Sequence, residues 1–207
     1  MVGMTYASVA DIKSSSQDAL REGSSTPTRM HPVLKLSLEP LAVEIKPLSL
    51  EEAQIPPAPG QDRWSAQQIV EHLILSYRLT LDAVSRQLKS GRVPSRRRNL
   101  LKSILRMQTL GLGYMPNGIP SMHAVRPKNI TPMAGPELVE RFLGAAEEMD
   151  AALSAGRKKF GVEPCGEHPF YGAMRIDEWR RYHALHARHH AVQLRNAIRF
   201  AKSQFKG

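Results

Sequence analysis

Cysteine is almost absent from this chain of 207 residues, in which Cys165 is the single example. One thiol can form no disulfide within the chain, so a reducing compartment is expected. Apolar runs are also short, since none approaches the ~18 residues of a transmembrane helix, and the first residues lack the basic and then apolar order of a secretory signal. We therefore expect a cytoplasmic protein without a membrane partner.

Acidic residues are absent between Ala83 and Pro136. The basic residues of that segment are Arg86, Lys89, Arg92, Arg96, Arg97, Arg98, Lys102, Arg106, Arg126 and Lys128. They account for the whole net charge of +10, which arises from 29 basic and 19 acidic residues. Such a segment can attract nucleic acid, acidic lipid or an anionic substrate. Because it lacks interleaved aromatic residues and zinc-finger spacing, nucleic-acid binding is not expected, and a solvated basic face is the preferred interpretation.

The periodicity of apolar residues predicts an all-α protein, and no segment shows the alternation typical of a strand. Residues 1 to about 30 read as a weakly structured leader, and residues 31–207 as a single domain. Long helices are expected at Val33 to Ile45 with a start or kink at Pro40, from Ser65 to about Lys89, from Pro136 to near Gly161, and from Ile176 to Ser203. A loop is expected at Pro47 to Pro59, and another from Gly161 to Met174.

The second long helix has the clearest start signal. Ser65 and Gln68 form a capping box, and Trp64 can pack on Ile69 as a hydrophobic staple. Between this helix and the next, a basic helical segment is expected from about Ser95 to Leu110, followed by an irregular connection from Gly111 to Pro136. The sequence therefore predicts a four-helix bundle with an irregular insertion between helices 2 and 3.

Histidines occupy positions of the last helix where apolar residues are usual. The predicted inward stripe comprises Ile176, Trp179, His183, His186, His190, Gln193, Ala197 and Phe200. Burying these imidazoles without partners would cost several kcal/mol, whereas one metal ion would satisfy them together. His186 and His190 are four residues apart, so both can reach a single ion.

A third ligand must come from another element, and His72 lies at an inward position of the second long helix. Three neutral imidazoles around Zn²⁺, Ni²⁺ or Fe²⁺ leave a coordination position open, as catalytic sites do. The alternative for His72 taken alone is a hydrogen-bonded core histidine. His183 could substitute for a ligand or support one, whereas His189 is rotated off the stripe and is expected at the surface or behind the ligands.

Other reactive residues are interpreted as structural or exposed. His31 and His123 are expected to face solvent, and His168 beside Pro169 is expected to pack within its loop. It stays open whether His168 joins the site. Cys165 has no positioned partner and is expected to be inert.

Two motifs resemble the DinB-like superfamily of metal-binding four-helix bundles. They are WSAQQIVEHL at residues 64–73 and HARHHAVQL at residues 186–194. HPFYG at residues 168–172, followed by Trp179, is similar to the approach to the last helix in one branch of that superfamily. The resemblance spans about Val33 to Phe200 and implies metal ligands at His72, His186 and His190. Val192 departs from it, because the family often has glycine there.

The resemblance implies a metal-dependent enzyme, since its members include thiol S-transferases and isomerases that use bacillithiol or mycothiol, and proteins described as metal-dependent hydrolases. We expect a thiol or water as nucleophile and a small-molecule substrate. Gln193 could hydrogen-bond a ligand or the substrate, and Arg96, Arg97 and Arg98 could attract an anionic cosubstrate. The alternatives are a non-catalytic module that binds a metal or a partner, a bundle that has lost its metal site and, as the weakest, a nucleic-acid-binding protein. A homodimer is expected.

Overall fold

Four segments with apolar residues at helical spacing form long helices in the computed structural model, which describes residues 30–57, 63–94, 100–115 and 121–205. The long helices are α1 (Pro32–Ile45), α3 (Ala66–Ser90), α5 (Gly135–Phe160) and α6 (Ile176–Gln204), and the short ones are α2 (Leu50–Gln54) and α4 (Leu100–Arg106). A π-helical turn, Met107–Gly111, continues α4, and a 3₁₀ turn, His123–Val125, follows in the connection. The predicted all-α class is confirmed.

The four long helices pack as a bundle around one apolar core. Helix α3 lies mainly along α5, and α1 lies mainly along α6, while α3 also contacts α6. The largest fully buried side chains include Leu34, Leu38, Tyr77, Leu138, Phe142, Met149 and Trp179. Because α3 and α6 are neighbours, side chains on their facing sides can meet at one point.

The capping box predicted for the second long helix is present. The backbone N–H of Gln68 donates to Ser65 Oγ at 3.2 Å, and the Ser65 N–H donates to Gln68 Oε1 at 2.9 Å. The helix ends at Gly91, whose φ of 67° lies in the left-handed region that favours glycine. These local signals set the start of α3 and hence the position of His72 along it.

Two expectations from the sequence are wrong. The predicted loop from Pro47 to Pro59 contains α2, because Ser49 and Glu52 form a second capping box that nucleates a short helix. The predicted loop from Gly161 to Met174 contains a small antiparallel hairpin, β1 (Glu167–His168) and β2 (Gly172–Ala173). Strands of two residues are too short for an alternating pattern to show. Helix α1 also runs through Pro40, so that proline is not its start.

Residues 95–99 and 116–120 of the insertion lie outside the described residues. The parts between and after these two segments contain some regular structure. The predicted basic helix is present as α4 and the π turn from Leu100 onward, whereas Arg96, Arg97 and Arg98 lie outside the described residues, as does the leader over residues 1–29. Among the described helices, none combines the length and apolarity that a membrane crossing requires.

A buried ion pair ties α6 to α5 and to the start of α1. Arg180 Nε donates to Asp150 Oδ1 at 2.7 Å, and Arg180 Nη2 donates to Ser154 Oγ at 2.8 Å. The backbone N–H of His31 donates to Asp150 Oδ2 at 2.8 Å. His31 also caps α1 through its side chain and is half-buried, although it was expected to face solvent.

Candidate metal centre

Helices α3 and α6 bring three imidazoles together inside the bundle. His186 Nε2 lies 3.1 Å from His72 Nε2 and 3.0 Å from His190 Nε2. One ring nitrogen from each residue lies within 4.8 Å of the other two, and all three residues are buried. A tetrahedral ion with metal–nitrogen bonds of about 2.0–2.1 Å holds its ligands roughly 3.3 Å apart, so the cluster has the dimensions of a metal site.

In two of these rings, a hydrogen bond determines which nitrogen carries the proton. His72 Nδ1 lies 2.8 Å from the carbonyl oxygen of Val125, and His190 Nδ1 lies 2.8 Å from Gln193 Oε1. Both partners are acceptors, so both Nδ1 atoms donate. A neutral imidazole has one N–H, so the Nε2 atom of each ring presents its lone pair to the space between the rings.

The hydrogen bonds of the third ring, His186, show whether the three residues fit a metal ion. His186 Nδ1 is buried and has no hydrogen-bond partner among the described residues. His186 Nε2 can donate its proton to at most one of the two lone pairs beside it, so at least one buried polar atom stays unsatisfied. A divalent cation accepts all three Nε2 lone pairs, which satisfies the Nε2 atoms, while His186 Nδ1 then carries a proton without an acceptor among the described residues. The donor set therefore fits such an ion.

The surroundings keep the three rings in the uncharged form that binds metals. Burial lowers the pKa of His190 to about 3, helped by the neighbouring His72. Burial also lowers the pKa of His186 well below its ordinary value, with His190 as the next cause, and lowers the pKa of His72. Because protons do not compete for these nitrogens near neutral pH, the cluster can bind a metal ion there.

The triad lies in the wall of a cavity of about 970 Å³, a size typical of small-molecule sites. Other lining residues include Ser76, Thr80, Thr109, Tyr171, Trp179 and Tyr182. The Tyr182 ring stacks on His186 at 5.4 Å between centroids, and the Trp64 ring lies 5.0 Å from His72. Aromatic rings thus shield the imidazoles, and the cavity gives a small molecule access to them.

Residues 38–194 match the family model of the DinB superfamily. The chain belongs to the DinB superfamily. Comparisons with curated proteins and with solved structures found no match. The matched region of this DinB-superfamily protein contains all three histidines of the triad and Gln193. Val192, which stands where that family often has glycine, is 61% exposed on α6 and is not part of the cavity wall.

Two further histidines of the DinB-superfamily protein are buried beside the triad without joining it. His183 Nε2 lies 2.9 Å from Thr80 Oγ1, and its ring lies 5.1 Å from that of Tyr77. His168 stacks on Tyr171 at 4.5 Å, and its Nδ1 accepts the Phe170 N–H at 3.1 Å. His183 is thus a core residue, whereas His168 both packs within its loop and lines the cavity.

The remaining candidates are not part of the triad. His123 is exposed, as expected, and its ring lies beside Lys128. His189 is half-buried, with its ring 5.0 Å from His190. Cys165 is buried, and burial raises the pKa of its thiol to about 11, which agrees with an inert side chain.

Val125 is the residue that sequence reasoning missed. It is buried, and its carbonyl oxygen orients His72 from the 3₁₀ turn of the insertion. A backbone carbonyl leaves no signature in the sequence, so no pattern could have indicated it. The insertion therefore contributes to the candidate metal centre as well as to the surface of the bundle.

Proposed function

We propose that this protein is a metal-dependent enzyme in which His72, His186 and His190 hold a divalent ion and a thiol or water serves as nucleophile, for S-transfer or hydrolysis. The observation that carries the proposal is the convergence of three Nε2 atoms in the wall of a large cavity. No fourth His, Cys, Asp or Glu ligand joins them among the described residues. A three-ligand site beside a cavity is the arrangement of catalytic centres, since structural sites close with a fourth ligand.

The identity of the ion follows from the ligand chemistry. Imidazole nitrogens suit Zn²⁺, Ni²⁺ and Fe²⁺, whereas Mg²⁺ and Ca²⁺ prefer oxygen ligands. A bound divalent ion lowers the pKa of a water or thiol ligand toward neutrality. The protein supplies the rest: Val125 and Gln193 orient two of the rings, and the rings of Trp64 and Tyr182 limit the approach of solvent.

The cavity favours a small molecule with an anionic group. Its wall includes Arg63, Arg86 and Arg126, and Glu167 is the one acidic residue that lines it among the described residues. A low-molecular-weight thiol that carries carboxylates matches this charge. The expected homodimer remains a prediction, and light scattering that shows a monomer at working concentration would refute it.

The open coordination position can be tested with cobalt. Protein loaded with Co²⁺ is mixed with glutathione, and the near-ultraviolet spectrum is recorded for a sulfur-to-cobalt charge-transfer band. We expect the band in the wild type and its absence in His186→Ala. If the wild type binds one Co²⁺ and neither glutathione nor azide changes the spectrum, the site is closed and the protein is a non-catalytic metal-binding module.

Turnover assays separate the two nucleophiles. Thiol transfer is followed with a bimane electrophile and glutathione, cysteine, bacillithiol or mycothiol, and hydrolysis is followed with 4-nitrophenyl acetate. We expect metal-dependent turnover in one of the two assays, abolished by a chelator and by His186→Ala. His123→Ala is the matched control, because that histidine is exposed and outside the triad.

A further inference from the structure

Helix α4 presents apolar side chains to solvent. The exposed fractions of Leu100, Ile104 and Met107 are 78%, 47% and 63%, and Leu101 is 66% exposed. Not one residue of α4 is buried. Contiguous exposed apolar side chains of this kind mark interaction sites in soluble proteins, because leaving them in water is unfavourable. The outer face of α4 is therefore a candidate interaction surface.

The exposed apolar side chains of α4 and the π turn form a stripe along one side of the helix. Positions 100, 104 and 107 are separated by four and three residues, so Leu100, Ile104 and Met107 lie on one side of the helix. Leu112 and Tyr114, 78% and 55% exposed, follow directly in the chain. The apolar surface thus extends beyond α4 through the π turn that continues it.

The opposite side of this segment is attached to the protein. Leu105 and Thr109 line the cavity, and Tyr171 Oη donates to Thr109 Oγ1 at 3.2 Å. Arg106 Nη1 lies 3.5 Å from the carbonyl oxygen of Ala173 in β2. The hairpin thus holds the inner side of the segment, and the apolar stripe faces outward in a defined direction.

The charge around the stripe identifies its partner. Exposed Arg92 and Arg126 lie in the segments on either side of the stripe, and no acidic residue occurs between Ala83 and Pro136. Lys102 and Arg106 lie on the inner side of the helix, against the hairpin. An apolar stripe with basic flanks is the pattern of helices that lie in the interface of an anionic bilayer, where lysine and arginine side chains reach the headgroups. We propose that α4 and the π turn dock this protein on the surface of an anionic membrane.

Two other occupants fit the observations less well. A second copy seated on the same stripe would bring two basic segments together without acidic residues in either, which is electrostatically unfavourable. Nucleic acid would use the charge but not the exposed leucine, isoleucine and methionine side chains. No membrane partner was expected from the sequence because it has no long apolar run, but an interfacial helix needs none.

Vesicle cosedimentation tests the proposal directly. The full chain is mixed with phosphatidylcholine vesicles and with vesicles that contain about one third phosphatidylglycerol. We expect binding to the anionic vesicles, at least about tenfold weaker binding to the neutral ones, and clear weakening in about 0.5 M NaCl. The triple variant Leu100→Ser/Ile104→Ser/Met107→Ser should bind anionic vesicles at least about tenfold more weakly than the wild type.

A matched control comes from α1, which has three exposed apolar residues. Val33, Leu36 and Val43 are 43%, 75% and 73% exposed, and Val33→Ser/Leu36→Ser/Val43→Ser should bind vesicles like the wild type. Circular dichroism verifies that both variants keep their helices. The proposal is overturned if anionic vesicles do not sediment the wild type at low salt, or if the α4 variant binds as well as the control. It is also overturned if the wild type is a dimer that the α4 variant converts to a monomer without any effect of vesicles.

Discussion

His186 Nε2 lies 3.1 Å from His72 Nε2, although 114 positions of sequence separate the two residues. His72 is oriented by the carbonyl of Val125, and His190, on the other side of His186, is oriented by Gln193. The geometry of the triad therefore depends on two hydrogen bonds to residues outside it. Each of them directs the Nε2 lone pair of one ring toward the space between the three rings.

Removal of the hydrogen-bond acceptor of His190 should weaken metal binding. Gln193→Ala frees His190 Nδ1, so the ring loses its fixed orientation, and we expect metal affinity to fall by about 10–100-fold. Competition with a chromophoric chelator measures the change. Val192→Ala, in the same turn but outside the cavity wall, should leave affinity unchanged. Wild-type affinity in Gln193→Ala would show that this hydrogen bond does not orient the ligand.

The ion pair between α5 and α6 should be important for stability. Asp150→Ala leaves Arg180, which is 8% exposed, buried without its carboxylate, and removes the acceptor of the His31 N–H. We expect the free energy of unfolding to fall by about 3–5 kcal/mol, measured by urea denaturation. As a control, Asp177→Ala removes an exposed ion pair with Arg157 and should cost less than about 1 kcal/mol. Equal losses in the two variants would contradict the account.

The stability of the metal-free protein should fall in acid. Burial lowers the pKa of His183 to about 3, below the ordinary value of 6.5 that it regains on unfolding. Between these values the unfolded chain binds more protons, so the stability present above pH 6.5 is lost as the pH decreases toward 3. Each such histidine contributes up to about 1.4 kcal/mol per pH unit in that window.

Urea denaturation of chelator-treated protein at a series of pH values measures this slope. His183→Gln should reduce it by about 1.4 kcal/mol per pH unit below 6, because one titrating group is removed. His123→Gln should leave the slope unchanged, since that ring is exposed. A wild-type free energy of unfolding that does not change between neutral pH and pH 5 would refute the assignment of buried neutral imidazoles.

Cys165 should be unreactive in the folded protein. Because burial raises the pKa of its thiol to about 11, the reactive thiolate is rare at pH 8 and increases only as the pH approaches that value. We expect iodoacetamide to modify the folded protein at least about 100-fold more slowly than the protein unfolded in guanidinium, where the thiol has a pKa of about 8.5. Mass spectrometry follows the reaction. Comparable rates in the two states would show an accessible thiol.

The sequence could predict those features that depend on local spacing. Ser65 and Gln68 are three residues apart and cap α3, while His186 and His190 are four apart and share a helix face. The inward position of His72 followed from the periodicity of its helix. Its approach to His186 required the packing of two helices, for which the family resemblance supplied the expectation.

Features that depend on tertiary contacts could not be predicted. Val125 orients His72 through a backbone carbonyl, which any residue type carries. Asp150 and Arg180 look like ordinary surface residues of amphipathic helices, and only the packing of α5 against α6 buries them together. In contrast, the capping box of Ser49 and Glu52 was present in the sequence and would have indicated α2.

Metal analysis of the purified protein shows whether His72, His186 and His190 bind an ion. Three proteins are compared: the wild type, His186→Ala and the exposed-histidine control His123→Ala. Each is supplemented with Zn²⁺, Ni²⁺ and Fe²⁺, separated from excess metal and analysed by inductively coupled plasma mass spectrometry. We expect about one equivalent of metal in the wild type and the control, and almost none in His186→Ala. Less than about one-tenth of an equivalent in the wild type, or equal amounts in His186→Ala and the wild type, would contradict this expectation.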